Sequence, residues 1–341
     1  MRIVYVLESL EMSGGVKVIV EHAEGLASRG HDVVVVTRDA RHDWIDVHVP
    51  VIEVPAFDAA TLPEADVHVA TWFPTVVPTV RARRAPKIVH FSQGYEALYA
   101  NCFHRQDEIE EAYQAPVPKL LISSHLKDLF EGRFPGPFYV LPQTLRAEKF
   151  RPLELRTAPR VPPVVGIVGP FELPIKGVPS SLRAVARLRE AGREVILHRA
   201  SLMPMLDAEK AMGRCDLYAH AISVDEMAKW YRRLDLLLFS STDAEGFGLP
   251  PLEAMASGVP AVISDIPSLA VLPSDAVSRV PVGDSAATAR EAARLLDDPA
   301  LWAARRARGL EIAGTFTIGR VLDELERIFV EVLPSEVPGE A

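Results

Sequence analysis

Cysteine is scarce in this sequence. Of 341 residues only two are cysteines, Cys102 and Cys215, and they lie far apart, outside any CxxC or closely spaced histidine pattern. Neither a disulfide framework nor a zinc site is therefore predicted. The low cysteine content fits a reducing compartment, and we expect the protein to be cytoplasmic.

Long apolar runs are also missing. No segment approaches the roughly 18 to 20 apolar residues of a membrane-spanning helix. The opening MRIVYVLESLEM holds only a short apolar run before Glu8, too short for the apolar region of a signal peptide, and is interpreted as a buried strand. We expect no transmembrane segment, so any membrane contact would be peripheral.

An excess of positive charge is lacking as well. The formal net charge is −9, and the two dense basic clusters, residues 81–87 and 305–308, are interpreted as solvated helix faces. A broad electrostatic attraction to nucleic acid or to an anionic membrane is not indicated. No nucleic-acid partner is predicted.

What the sequence does contain is a repeated alternation of short β-branched runs with longer helical patterns. This alternation predicts βαβ units and parallel sheets, an α/β class. A 48% hydrophobic composition over this length supplies apolar material for two cores. Prolines concentrate between residues 135 and 163, which indicates a domain boundary there. The predicted segments are a first domain over 1–155, a second over 156–320, and at 321–341 a C-terminal helix with a loose tail, for which packing back on the first domain is one option.

One stretch of the second domain, STDAEGFGLPPLEAMASGVPAVISD, carries most of the chemistry. A strand precedes it, and PPLEAMASG begins a helix with proline at its first turn. Gly246 and Gly248 allow a tight path that directs backbone N–H groups at the helix start outward. Glu245 and Glu253 flank this turn, and a carboxylate can accept hydrogen bonds from vicinal hydroxyls, as in a sugar or a ribose. The alternative is that both acids merely complement the helix dipole.

EGFGLPPLEAMASGVPAV resembles the E-x7-E signature of the retaining glycosyltransferases of family 4, which are similar to glycogen synthase. The resemblance implies the GT-B fold, in which two Rossmann-like parallel-sheet domains face a cleft, the first binding the acceptor and the second the nucleotide-sugar. It also implies that Glu245 and the following amides hold the donor sugar and that Glu253 binds the ribose. SLEMSGGVKVIVEHAEGLASRGHDVVVVT resembles the glycine-rich loop of the family's first domain. The donor-contacting residues implied are Gly14, Gly15, Lys176, Glu245, Gly246, Phe247, Gly248, Leu249 and Glu253.

Two departures from the family pattern concern charge and proton transfer. In GPFELPIKG, Lys176 is kept as an expected phosphate ligand, but Pro170 stands where the family carries an arginine, and Arg199 or Arg146 are the substitutes considered. In KIVHFSQGYEALY, Gln93 occupies the position of a family histidine, and a glutamine cannot take a proton at neutral pH. His90, three residues earlier, is interpreted as a packed histidine.

These observations predict a hexosyltransferase that moves a sugar from a nucleotide-sugar to an acceptor hydroxyl, with retention, by a front-face route. The resemblance implies that the departing diphosphate accepts the proton and that no metal or other cofactor is required. The residues assigned to catalysis are Glu245, Lys176 and Gln93, and those assigned to the acceptor are Ser13, Tyr95 and Trp72. Two alternatives stay open: a degenerate partner subunit that binds a nucleotide-sugar without transferring it, and a nucleotide-sugar epimerase on the same fold.

Overall fold

The computed structural model describes residues 1–141, 143–146 and 148–332. For residues 331 and 332 it describes the backbone only. The chain divides into two compact units, the first comprising residues 1–144 together with the C-terminal residues from Thr317, and the second Leu145–Phe316. Each unit is built on one parallel sheet. The predicted α/β class with two parallel-sheet domains is confirmed.

The first unit contains a seven-stranded sheet in the order β3-β2-β1-β4-β5-β6-β7. Its strands are β1 Arg2–Leu7, β2 Asp32–Thr37, β3 Val51–Glu53, β4 Val67–Ala70, β5 Lys87–Ser92, β6 Lys119–Leu121 and β7 Phe138–Val140. Its α-helices are α1 Gly14–Ser28, α2 Phe73–Ala82, α3 Gln106–Gln114, α4 Ser124–Phe130 and α11 Ile318–Arg327. The 3-10 helices Glu96–Leu98 and Ala100–Arg105 and a π-helical turn, Ile328–Val332, complete it.

Valine-rich strands form the centre of this sheet. Strand β1 pairs with β2 on one side and with β4 on the other, in registers that place Val4 opposite Val34 and His68. Most side chains of β1 and β2 are buried whichever way they point. Continuous β-branched runs fit a parallel sheet covered on both faces, whereas a half-exposed strand would alternate.

The second unit contains a six-stranded sheet in the order β10-β9-β8-β11-β12-β13. Its strands are β8 Val164–Val168, β9 Ile196–Ser201, β10 Leu217–His220, β11 Leu236–Phe239, β12 Ala261–Ser264 and β13 Ser278–Val280. Its α-helices are α5 Val178–Glu190, α6 Asp207–Lys210, α7 Val224–Arg232, α8 Leu249–Ala256, α9 Ser285–Asp297 and α10 Pro299–Ala313. The 3-10 helices are Pro174–Lys176 and Pro267–Leu269.

The central strands of the second sheet bring the predicted site together. Strands β8 and β11 are neighbours, paired in parallel with Val165 opposite Leu236. The loop after β8 carries Lys176, and the loop after β11 carries Glu245. Because the carboxyl ends of parallel strands lie at the same edge of a sheet, both loops emerge together there.

The chain passes from the first unit to the second between Thr144 and Leu145, eleven residues before the predicted boundary at 155/156. The N–H of Leu145 donates to the carbonyl of Phe316, and the ring of Phe150 contacts that of Tyr231 at 5.9 Å. These contacts join the residues after Thr144 to the second unit.

The C-terminal helix α11 belongs to the first unit and packs on α1. Arg29 at the end of α1 pairs with Asp323 and Glu326. The predicted loose tail lies outside the described residues. No helix in the described part of the chain is both long enough and apolar enough to cross a bilayer.

Candidate donor site and acceptor cavity

Lys176 and Glu245 form an ion pair in the second unit. The Lys176 ammonium lies 3.0 Å and 2.8 Å from the two carboxylate oxygens of Glu245. The Ser241 hydroxyl donates to the same carboxylate at 2.9 Å. Two residues that the sequence assigns to a donor are thus in contact with each other.

The loops that carry this pair are tied together closely. Gly177 ends the turn that holds Lys176, at a φ of +55°, and a Cβ there would lie 1.8 Å from the carbonyl oxygen of Ser240. Only glycine permits both the left-handed backbone and this approach. The N–H of Thr242 donates to the carbonyl of Ile175 at 2.9 Å. The position of Lys176 relative to Glu245 is therefore fixed by backbone.

The carboxylate of Glu245 and the ammonium of Lys176 can each form a further hydrogen bond. Glu245 is 7% exposed, and its carboxylate offers about four acceptor positions, of which the contacts with Lys176 and Ser241 account for three. Lys176 directs its ammonium at one carboxylate and retains a quarter of its side-chain exposure. A hydroxyl can thus join Glu245 and an anionic oxygen can join Lys176 without the ion pair being broken.

The start of helix α8 follows Glu245. Gly248 is the N-terminal capping residue, at a φ of +83°, and it provides no side-chain cap, while the helix itself begins at Leu249. Phe247 is buried, with its ring centroid 6.3 Å from that of Phe316, so its side chain packs inside the second unit. Because Pro250 and Pro251 have no backbone N–H, the donors at this helix start are the N–H groups of Gly248 and Leu249, which suit an anion.

Glu253 lies in the second turn of α8 and is buried. The Tyr231 hydroxyl donates to its carboxylate at 3.0 Å. Burial and the adjacent Glu253 charge raise the pKa of Tyr231 well above its ordinary value, so this hydroxyl stays a donor. Glu253 has a further interaction as well.

In the first unit, Ser13 and Gln93 contact the glycine loop, which consists of Ser13 and the first two residues of α1, Gly14 and Gly15. The Ser13 hydroxyl accepts the N–H of Val16 at 3.1 Å as the N-terminal cap of α1. The Gln93 amide donates to the carbonyl of Gly15 at 3.0 Å. A Cβ on Gly15 would lie 3.2 Å from the Gln93 amide nitrogen, while Gly14 has open space around it. Gln93 therefore holds the glycine loop against the end of β5.

A cavity of about 430 Å³ lies within the first unit, lined by Ser13, Gly15, Trp72 and Gln93 among others. Its described lining residues include the acids Glu8, Glu11 and Glu96; Arg38 pairs with Glu8 at 2.9 Å, and Arg41 lies 3.9 Å from Glu11. Burial raises the pKa of Glu96 to about 7, and the hydrogen bond that it accepts from Tyr113 at 2.6 Å partly opposes this shift. The cavity lining thus carries hydroxyl and carboxyl groups, and arginines pair with two of its three acids.

Tyr95 does not reach this cavity. It is 2% exposed, and its ring contacts those of Tyr113, Phe130 and Phe134 edge-on. Tyr95, which the sequence analysis assigned to the acceptor, packs in this aromatic cluster, with the Arg133 guanidinium 5.0 Å from its ring centroid. Of the predicted acceptor residues, Trp72 and Ser13 line the cavity.

Arg199 and Arg146, the two arginines considered as substitute phosphate ligands, lie in different environments. Arg199 is fully buried, pairs with Glu209 at 2.7 Å and donates to the carbonyls of Ile167 and Gly169, so it is a structural residue and not a substitute phosphate ligand. Arg146 is half-buried and already has a bonding partner. His90 is packed as expected, since burial lowers its pKa to about 3 and its ring contacts that of Tyr113.

Sequence reasoning missed the partners of the two acids. Ser241 and Tyr231 hold Glu245 and Glu253, and neither was assigned a role. Ser241 was detectable because it lies two residues after the end of β11 and four residues before Glu245. Tyr231 carried no comparable signal, since it reads as one more apolar position on α7.

Comparisons with known proteins identify the fold class of this chain. Residues 162–298, within the second unit and about two fifths of the chain, match the family model described as glycosyl transferases group 1. The whole chain superposes on sucrose-phosphate synthase of Thermosynechococcus elongatus with a TM-score of 0.79 at 18% identity, covering 97% of this chain and 98% of that one. Anabaena HepE in complex with UDP and glucose gives a TM-score of 0.76 at 16% identity, covering 97% and 100%. These neighbours establish a GT-B architecture.

Curated relatives match over shorter segments. A Rhizobium leguminosarum lipopolysaccharide core mannosyltransferase, LpcC, is 33% identical over 36% of this chain and 36% of its own. A Streptomyces bingchenggensis D-inositol 3-phosphate glycosyltransferase is 29% identical over 60% of this chain and 46% of its own. The chain thus spans less than half the length of these relatives.

Proposed function

We propose that this protein is a retaining glycosyltransferase that moves a hexosyl group from a nucleotide-sugar to an acceptor hydroxyl. The observation that carries the proposal is the constellation of Lys176, Glu245 and Ser241 beside the uncapped start of α8, with Glu253 one turn further along. The family match over the second unit supports it. Relatives named mannosyltransferases and a structural neighbour bound to UDP and glucose point to hexosyl donors.

The donor diphosphate is assigned to Lys176 and to the backbone N–H groups at the start of α8. The lysine supplies a full positive charge, and the helix start adds a partial one. The ribose hydroxyls are assigned to Glu253, whose carboxylate Tyr231 keeps in place. Glu245 is assigned to the sugar hydroxyls through its unused acceptor positions.

Transfer proceeds in this proposal on one face of the sugar. The bond between the anomeric carbon and the diphosphate oxygen breaks, the acceptor oxygen bonds to the same face, and the acceptor proton passes to the departing diphosphate oxygen. Charge therefore develops on the diphosphate, where Lys176 and the α8 amides stabilise it. No protein nucleophile or metal ion takes part.

Gln93 acts in this scheme through the glycine loop. Its amide is committed to the Gly15 carbonyl, so we assign it a positioning role and not a contact with the reacting carbon. The acceptor is assigned to the cavity beside Trp72. The hydroxyl and carboxyl groups of this cavity suit a polyol acceptor, whose hydroxyls they can bind.

A transfer assay over a panel of nucleotide-sugars, including GDP-mannose and UDP-glucose, tests the proposal. We expect product with the donor's anomeric configuration and no transfer above background in Glu245→Gln. Nucleotide-sugar binding without turnover over a broad acceptor panel would favour the degenerate partner subunit. Donor isomerisation without acceptor would favour the epimerase.

A further inference from the structure

A second cavity lies at the opposite edge of the second sheet from Lys176 and Glu245. Its volume is about 100 Å³, and its walls come from residues that immediately precede strands β8, β11 and β12 and from helix α10. The amino ends of parallel strands lie at the other edge of a sheet from the carboxyl ends. This cavity is therefore separate from the proposed donor site.

Four arginines line this cavity: Arg156, Arg160, Arg232 and Arg306. Arg156 and Arg160 both pair with Asp235, which is fully buried and also accepts the N–H of Val164 at 2.7 Å. Arg232 donates to two backbone carbonyls. Glu154 is the other acid beside the cavity. Four positive charges thus face two negative ones, which leaves two positive charges uncompensated.

Of the four arginines, Arg306 has the positive charge that is least balanced by nearby negative charge. It is 8% exposed, and its one hydrogen bond within the described part of the chain goes to the carbonyl of Glu154 at 2.8 Å, with no acid in ion-pair range. Burial and the Arg156 charge lower its pKa. The C-terminal end of α8 lies beside it, but a helix end supplies only about half a charge. Burying a cation without a full counter-charge is unfavourable.

Ser257 points independently to a ligand. It lines the same cavity and is 4% exposed, yet its hydroxyl lacks a hydrogen-bond partner among the described residues. Its neighbour Gly258 lies at a φ of +74°, and a Cβ there would be 3.0 Å from the Nε of Arg306. Glycine at 258 therefore lets the Arg306 guanidinium approach the end of α8 beside Ser257.

We propose that this cavity binds a phosphate group. The walls supply guanidinium groups from several directions and an excess of two positive charges, which suit a phosphate dianion, and the lining residue Ser257 has a hydroxyl without a partner among the described residues. A cavity of this volume holds several waters or one such group but no nucleoside. The ligand is therefore inorganic phosphate, or a small phosphomonoester whose remainder projects from the cavity.

Thermal unfolding with added phosphate tests this inference. Sodium phosphate is titrated into the full chain in a phosphate-free buffer, with sodium chloride holding ionic strength constant. A ligand that binds the native state raises the unfolding temperature by mass action. We expect a graded increase for wild type, lost in Arg306→Gln and weakened in Ser257→Ala, each measured against the same variant without phosphate.

Three controls separate this cavity from other sites. Ser257→Ala removes a hydroxyl without a partner, so it should fold like wild type and keep the test valid if Arg306→Gln is unstable. Arg308→Gln, on the same helix but paired with Asp275 and Glu311, should keep the full phosphate response. Lys176→Met removes any phosphate response that arises at the proposed donor site, and the part of the response that depends on Arg306 should remain, because Lys176 belongs to the other edge of the sheet.

The source of the phosphate is distinguished by repeating the titration with a sugar phosphomonoester. Equal responses to the two compounds identify the phosphate group as the ligand, and a stronger response to the monoester identifies a phosphorylated metabolite. No response of wild type to either compound, or a response that Arg306→Gln and Ser257→Ala retain in full, would overturn the proposal.

Discussion

Removal of the Lys176 ammonium tests whether the donor-site ion pair is a real feature of the folded protein. Lys176→Met keeps most of the apolar stem but leaves the Glu245 carboxylate buried with the Ser241 hydroxyl as its remaining described partner. A buried acceptor that loses its partner costs about 1–3 kcal/mol, more if charged, and the quarter-exposed Lys176 side chain lowers this figure. We expect the free energy of unfolding to fall by about 2 kcal/mol.

Urea unfolding measures this loss, taken from the transition of the second unit if the two units unfold separately. Lys210→Met is the matched control, because Lys210 pairs with Asp207 on an exposed helix turn and such pairs contribute about 0–1 kcal/mol. Adding Glu245→Gln to Lys176→Met should restore part of the loss, since the uncompensated charge is then gone. The reasoning fails if Lys176→Met is no more harmful than Lys210→Met.

Two further predictions concern the buried acid of the first unit and the glycine beside Lys176. Because burial raises the pKa of Glu96 from 4.5 to about 7, the native state holds its proton longer than the unfolded state, so stability should fall as pH rises from about 4.5 to 7. Glu96→Gln should flatten that slope in unfolding measured across this range, and an unchanged slope would contradict the assignment. Gly177→Ala should destabilise the second unit by at least about 1–3 kcal/mol, because a Cβ collides with the Ser240 carbonyl. Gly192→Ala, also at positive φ but with open space around it, is the control that isolates the collision, and equal losses in both variants would refute it.

The sequence predicts strands where short apolar runs are unbroken, such as DVVVVT in β2 and LLLF in β11. The strands that it did not predict, β3, β7 and β10, are short and partly exposed, so their composition resembles that of loops. Helix α2 was missed because it contains Pro74 and Pro78, and its apolar positions are mostly β-branched. In these elements tertiary contacts outweigh local preference.

The candidate site was predictable in its members but not in their contacts. Glu245, Glu253 and Lys176 stand out by spacing and by resemblance, but the order of strands in the sheet is what brings the loop of Lys176 to that of Glu245. Tyr95 shows the opposite case. An aromatic residue in a loop after a strand can face a ligand or the core, and only the positions of Phe130 and Phe134 decide between them.

In the proposed function, the second unit binds a nucleotide-sugar through Glu245, Glu253 and Lys176 at the carboxyl edge of its sheet. Calorimetric titration of the nucleotide-sugar panel into wild type and Glu253→Gln tests it most directly. The account predicts saturable binding of one nucleotide-sugar that weakens about tenfold or more in Glu253→Gln, which corresponds to the loss of about one hydrogen bond to a charged group. Equal affinities in the two proteins, or no binding by wild type, would contradict it.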